Sequence, residues 1–550
     1  MRSLLLVRGC CGRYPLRRSP VNLHARQTLL LLPCLAFLPG LQQCEETCFD
    51  FDEQGNRIEF QCVTCVERDE NECTADTWRL PSGSMCALGQ QPILDDGTPC
   101  AAPGGQGYCF SAACEPAPEQ LAYLKSDPIE AAKAFGYVMA MDGDTIVVGA
   151  NAITAGTTDD VHVFVREDDG WVLEAVLEPL GFASQFGTEV AIDGDTIVVG
   201  GSQYAGVFVR EAGSWAEQAS LAPEGPYQHS SSFGRSGVSV SGDTVVVSAS
   251  THDGNGASSG IYGDPTDVSI SGAGSIYVFV RNGTVWTQQA HLRAPNPDEN
   301  DSFGRAVVDG DTLVAVAINE GSGSPGPGAD QHDNSVPRSG AAYVYQRFGT
   351  VWRFQEYIKA SNPDQLDQFG SQAALSGDLL AVAASGEDSA ATGIDGDDSD
   401  NSVTDSGAVF IFARAGADWT QQAYIKASNT GTSDRFGRDV DLHGERLLVG
   451  AWQENSAAIG IDGDQSDDSS ANSGAAYLFT STEGEWTQRR YIKASNTGDA
   501  DKFGSSVAID GVTFAVGALG ERSGDAADES DDSTVGSGAV YVFGIRAESP

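Results

Sequence analysis

The dipeptide Phe-Gly recurs seven times after residue 130, at Phe135, Phe186, Phe233, Phe303, Phe369, Phe436 and Phe503, spaced by 51, 47, 70, 66, 67 and 67 residues. Each copy leads, about ten residues on, into a short apolar run that opens just after Gly-Asp or an equivalent turn. A unit of this length built from short strands cannot bury its own apolar face, so the repetition predicts an array of small sheets.

One unit from the middle shows the pattern. Phe369 to Leu375 alternates like a half-buried strand, Ser376-Gly377 supplies a tight hairpin turn, and Leu379 to Ala383 is a continuous apolar strand. A Gly- and Asp-rich loop leads to a third strand at Ala408 to Phe412, and Trp419 to Ala427 reads as a fourth. Four strands per unit predict a propeller blade. The Trp recurs six times, at Trp171, Trp215, Trp286, Trp352, Trp419 and Trp486, against seven Phe-Gly starts. The last unit therefore lacks a fourth strand, and Gln120 to Ser126, which resembles Gln422 to Ala427, is the expected donor. The fold class expected is all-β, a seven-bladed β-propeller over residues 119–550, closed by this N-terminal strand. The Phe, Trp and Tyr positions read as blade packing rather than a sugar-stacking surface.

With Phe-Gly, the Gly-Asp turn and the sequences Val147-Val-Gly-Ala150, Leu448-Val-Gly-Ala451 and Ala515-Val-Gly-Ala518 in view, the array resembles the FG-GAP repeat. It is similar to the integrin α-subunit propeller and, more closely, to long FG-GAP repeat proteins of bacterial surfaces. The resemblance implies fold far more than function, because such propellers host many binding sites. Integrin blades carry an Asp-x-Asp-x-Asp-Gly calcium loop between the first two strands, whereas here that connection is a bare hairpin such as Asp142-Gly143-Asp144, so those calcium residues do not carry over.

Acidic residues gather elsewhere, in the loop between the second and third strands of blades 3 to 7. Two Asp recur three apart: Asp264 and Asp267, Asp330 and Asp333, Asp397 and Asp400, Asp464 and Asp467, Asp528 and Asp531. Calcium takes roughly six to eight oxygens, and the densest carboxylates, Asp395, Asp397 and Asp400 with Asp462, Asp464 and Asp467, are the candidate calcium ligands. The alternative is a solvated loop in which Asp and Ser close local turns, a constraint that would repeat as faithfully. In a propeller these loops share a face with the connections between blades, such as Asn362 to Asp367 and Asn429 to Asp434, so one face should be strongly negative.

That polarity matches the composition: 77 acidic against 32 basic residues in 550 give a formal charge of -45. Phosphate-binding surfaces need clustered Lys and Arg, so nucleic acid and anionic lipid are excluded as partners. The shortage of basic residues also argues against a lyase for acidic polysaccharide, which would need a basic cluster on the ring axis. The seven His are scattered without a zinc-binding HExxH, and no nucleophile elbow or phosphate-binding Gly loop is present, so no enzyme is expected.

The first 43 residues read as a targeting segment, a basic stretch ending at Arg26 followed by the apolar run Thr28 to Gly40. No later run is long enough for a membrane helix. All twelve Cys fall at or before Cys114, and those from Cys44 onward make residues 44–118 a cysteine-rich module held by disulfides. Nine Cys follow the targeting segment, an odd number that either leaves one free thiol or has Cys44 lipidated as in a bacterial lipoprotein. Together these features predict an exported, surface-held or secreted binding or adhesion protein for an extracellular protein or glycan. The alternatives are a carbohydrate-active lyase or hydrolase and a structural cell-envelope protein.

Overall fold

The computed structural model describes residues 41–51, 57–67, 99–102, 105–110, 113–150, 160–168, 170–181, 183–224, 232–253 and 269–544. The chain forms two units, residues 1–117 and 118–550. The expected targeting segment before residue 41, and much of the cysteine-rich module, lie outside the described residues. In the first unit, Leu41–Phe51 pairs antiparallel with Arg57–Glu67, and Pro99–Ala102, Gly105–Phe110 and Ala113–Pro116 form a three-stranded sheet. No helix among the described residues is long and apolar enough to cross a membrane.

The second unit is seven four-stranded antiparallel sheets. Six follow chain order, as in blade 5: Phe369–Ser376, Leu379–Ala384, Ala408–Ala415, Asp418–Ile425. In the seventh, Phe503–Asp510, Thr513–Ala518 and Ala539–Gly544 are joined by Glu119–Leu124, which lies antiparallel to Ala539–Gly544 with Tyr123 opposite Tyr541.

Alternation decides which strand goes where. The second strands, such as Leu380 to Ala384, are buried on both faces and, apart from Arg446 at the outset of blade 6's, carry no charge, because they sit between neighbours within the blade and between blades. The seven Phe are at most 1% exposed and form the wedge between blades. Each of five meets the third-strand aromatic of its own blade edge-on, with centroids 5.4 Å apart for Phe303 and Tyr343 and 5.3 Å for Phe436 and Tyr477. The following Gly is needed twice over. At Gly504 the backbone is left-handed (φ +82°), and a Cβ would lie 2.2 Å from the Ala475 carbonyl oxygen of the preceding blade.

The hairpin between first and second strands does more than turn the chain. Asp142 accepts the Gly194 N–H (2.8 Å), Asp193 that of Gly242 (2.6 Å), Ser241 that of Gly310 (3.0 Å), Asp309 that of Gly377 (2.7 Å) and Ser376 that of Gly444 (2.9 Å). His443 then meets Asp510 at 2.9 Å, and Asp510 accepts the Gly143 N–H. The turns therefore form a belt of polar contacts linking each blade to the next around the face opposite the acidic loops.

Candidate functional site

The acidic face stands on a repeated buried device that sequence reasoning missed. In blade 5, Glu387 lies three residues past the end of the second strand and Lys426 follows the fourth strand. Lys426 Nζ donates to Glu387 Oε2 and to Ser406 Oγ, both at 2.7 Å, and the Tyr424 hydroxyl donates to Glu387 Oε1 at 2.7 Å. The same pair recurs as Glu320 with Lys359 (3.0 Å), Glu454 with Lys493 (2.8 Å) and Glu521 with Lys125 (2.6 Å), every side chain at most 1% exposed. A buried ion pair survives only when its remaining donors and acceptors are satisfied, and the Ser and Tyr hydroxyls meet that need. Burial pulls each of these lysines below the usual lysine range, against the carboxylate that pushes it up. In blade 3 the two positions are His252 and Arg293, with side-chain nitrogens 3.5 Å apart.

The connections entering blades 5 to 7 dock onto this device. Asn362, from the connection entering blade 5, donates to Glu387 Oε1 (3.3 Å) and to the Asp398 carbonyl (2.6 Å). Asn429 and Asn496 repeat both contacts in blades 6 and 7. The serine closes the joint: Phe369 N–H bonds the Ser339 carbonyl of the preceding blade at 2.9 Å, as Phe436 does with Ser406 and Phe503 with Ser473. The acidic loops are therefore fixed to the core at both ends.

The predicted loop carboxylates are in place, and most of them close turns. Asp397 Oδ1 accepts the Ser399 N–H (3.1 Å) and hydroxyl (2.6 Å), and Asp464 does the same with Ser466. Asp400 reaches back to the Ala390 N–H (3.1 Å), while Asp467 accepts the Ser469 N–H (3.0 Å). Asp395 and Asp462 accept the N–H groups of Tyr424 and Tyr491 on the fourth strands. The three-residue spacing is thus accounted for by two successive turns. These serine hydrogen bonds hold Asp397 and Asp464 below the usual carboxylate range. The six carboxylates do not converge, and among the described residues no group of three or more His, Cys, Asp or Glu is placed to hold a metal. Asp264 and Asp267 lie outside the described residues.

A second set of carboxylates lies deeper. Asp301, Asp367 and Asp434, one in each of three connections, are pushed up to about 7 and Asp501 to about 6, with burial the main cause and the adjacent Glu320, Glu387, Glu454 or Glu521 adding to it. The signal for the whole device was present: a Glu always three residues past the second strand and a Lys always after Tyr-Ile or Tyr-Leu. Pairing them required knowing that the two ends meet.

The FG-GAP repeat family model matches residues 286–345, 419–479 and 486–543. Each match runs from the fourth strand of one blade to the third strand of the next. No curated protein matches the chain. Among solved structures, proteins of Bacteroides uniformis and Bacteroides fragilis, both provisionally named 6-phosphogluconolactonase, align at 11% and 12% identity with TM-scores of 0.39 and 0.40. These cover 66% and 71% of this chain and 86% and 90% of theirs. A chain of the mitotic checkpoint complex aligns at 10% identity and TM-score 0.40, covering 78% of this chain and 95% of its own.

Proposed function

We propose, for a chain that carries FG-GAP repeats on a seven-bladed β-propeller, that it is an exported, non-enzymatic binding protein, secreted or held at the cell surface through its N-terminal region. Its acidic loop face engages the basic surface of an extracellular protein or a glycan. The observation that carries this reading is the buried Lys–Glu device under blades 4 to 7, which holds a set of exposed carboxylates in fixed positions. Preorganised charge of one sign steers and orients a partner of the other sign.

An array of extracellular proteins and glycans, probed with the full chain at low and high salt, tests it. Retention of a basic partner that weakens with salt and with Asp397→Asn plus Asp464→Asn is expected. Retention indifferent to both, or confined to acidic ligands, would overturn the charged-face reading. Because the loop carboxylates are committed to turns, calcium should raise the melting temperature no more than sodium at matched ionic strength. A calcium-specific rise that disappears in Asp397→Ala with Asp464→Ala would instead assign these loops to the metal.

A further inference from the structure

The inner strands line a half-open cavity of about 290 Å³ on the ring axis, just below the roughly 300–1,000 Å³ typical of small-molecule sites. Its exposed wall is mostly polar, with Tyr137, Glu189, Arg305, Arg438, Asp439 and Asp441 as its titratable lining, and Val138, Val190, Val240 and Val440 supply apolar patches between them. Two cations therefore stand on the axis of a protein that is poor in them. Total composition could not show this, because the expectation of no axial basic cluster rested on a count and not on placement.

Arg305 takes a left-handed backbone (φ +42°), the conformation that Gly adopts one residue earlier in the other blades, and its guanidinium reaches Glu189 of blade 2 at 3.4 Å. Arg438 packs over the Trp452 ring at 4.6 Å, and Lys502 lies 5.0 Å from the same ring. Arg438 Nε is buried with no hydrogen-bond partner, and a bound water or ligand would satisfy it. One oxygen of each aspartate holds the inner strand of blade 7: Asp439 Oδ2 accepts the Val507 N–H (2.9 Å) and Asp441 Oδ2 that of Ile509 (2.8 Å).

We infer that the axial cavity is a binding site for a small carboxylate-bearing polyol of about one hexuronate in size, its carboxylate on Arg438 and Arg305 and its hydroxyls donating to Glu189 and Asp439. A guanidinium matches a carboxylate in planar, two-point geometry. Hydroxyls, which both donate and accept, suit a wall where acids and guanidinia alternate, and the valines face the ring carbons. This site is independent of the loop face.

Burial raises Glu189, and raises Asp439 and Asp441 to about 6. Acidification therefore removes negative charge that competes with the ligand carboxylate. Titration calorimetry of the full chain with sodium D-galacturonate, with D-galactose and sodium acetate as controls, tests the site. Saturable one-to-one binding of galacturonate is expected, tighter at pH 5 than at pH 8, with at least a tenfold loss in Arg438→Gln and a smaller loss in Arg438→Lys. The unaltered protein decides the matter alone if a variant fails to fold. No saturable binding at pH 5, equal binding of galactose, or affinity rising with pH would overturn the site.

Discussion

At the scale of single residues, the blades differ by substitutions whose cost can be read off their neighbours. Tyr343 and Tyr477 donate their hydroxyls to the connection residues Asn296 (2.9 Å) and Asn429 (2.6 Å), and Tyr541 does so to Asn496. Blade 5 has Phe410 at this place, and Asn362 Oδ1 is left buried without a partner. Phe410→Tyr should restore the bond and stabilise the protein by about 1 kcal/mol, seen as a higher urea midpoint at constant m. A lower midpoint would mean the added oxygen does not reach Asn362. The aromatic positions were legible in the sequence because packing demands the same residue at every turn of the ring. The partner of a buried lysine was not, since Lys426 and Glu387 stand 39 residues apart and only the closed blade brings them together.

At the scale of elements, strands and hairpins were legible and loops only in outline. Two-residue alternation and a Gly at the turn identify a β-hairpin whatever surrounds it. A pair of Asp three apart is ambiguous, because turn closure and calcium coordination draw on the same carboxylates, and only the hydrogen bonds to Ser399 and Ser466 distinguish them. The connections make a pH prediction. Asp367 sits at about 7 in the folded protein against an ordinary 3.8. Between those values the folded state holds the proton more tightly, so this group's contribution to stability falls as pH rises through the window and stays lost above about 7. Asp367→Asn should therefore raise the melting temperature at pH 8, and the gain should shrink as pH is lowered to 5. An equal gain at both values would show that the carboxyl is not the titrating group.

At the scale of the whole molecule, the repeat in the sequence and the blade in space are out of step by one strand. The family matches begin on a fourth strand and end on a third, so the last copy leaves a sheet one strand short, and Glu119–Leu124 lies in that place. Deleting residues 119–124 would expose the backbone edge of Ala539–Gly544, and an unpaired edge recruits other chains. The deletion protein should melt lower and elute as larger species in size exclusion. Unchanged melting and elution would show that the ring does not depend on this strand.

The same pairing sets a timetable. Lys125, which follows the closing strand, meets Ser537 across 412 residues of chain. A ribosome adding about 5–20 residues per second needs roughly 20 to 80 s to cover that 412-residue interval. Throughout that time the first strand of the propeller lacks its native partner, and the earliest moment at which the seventh blade can form is fixed by translation speed rather than by any barrier within the ring.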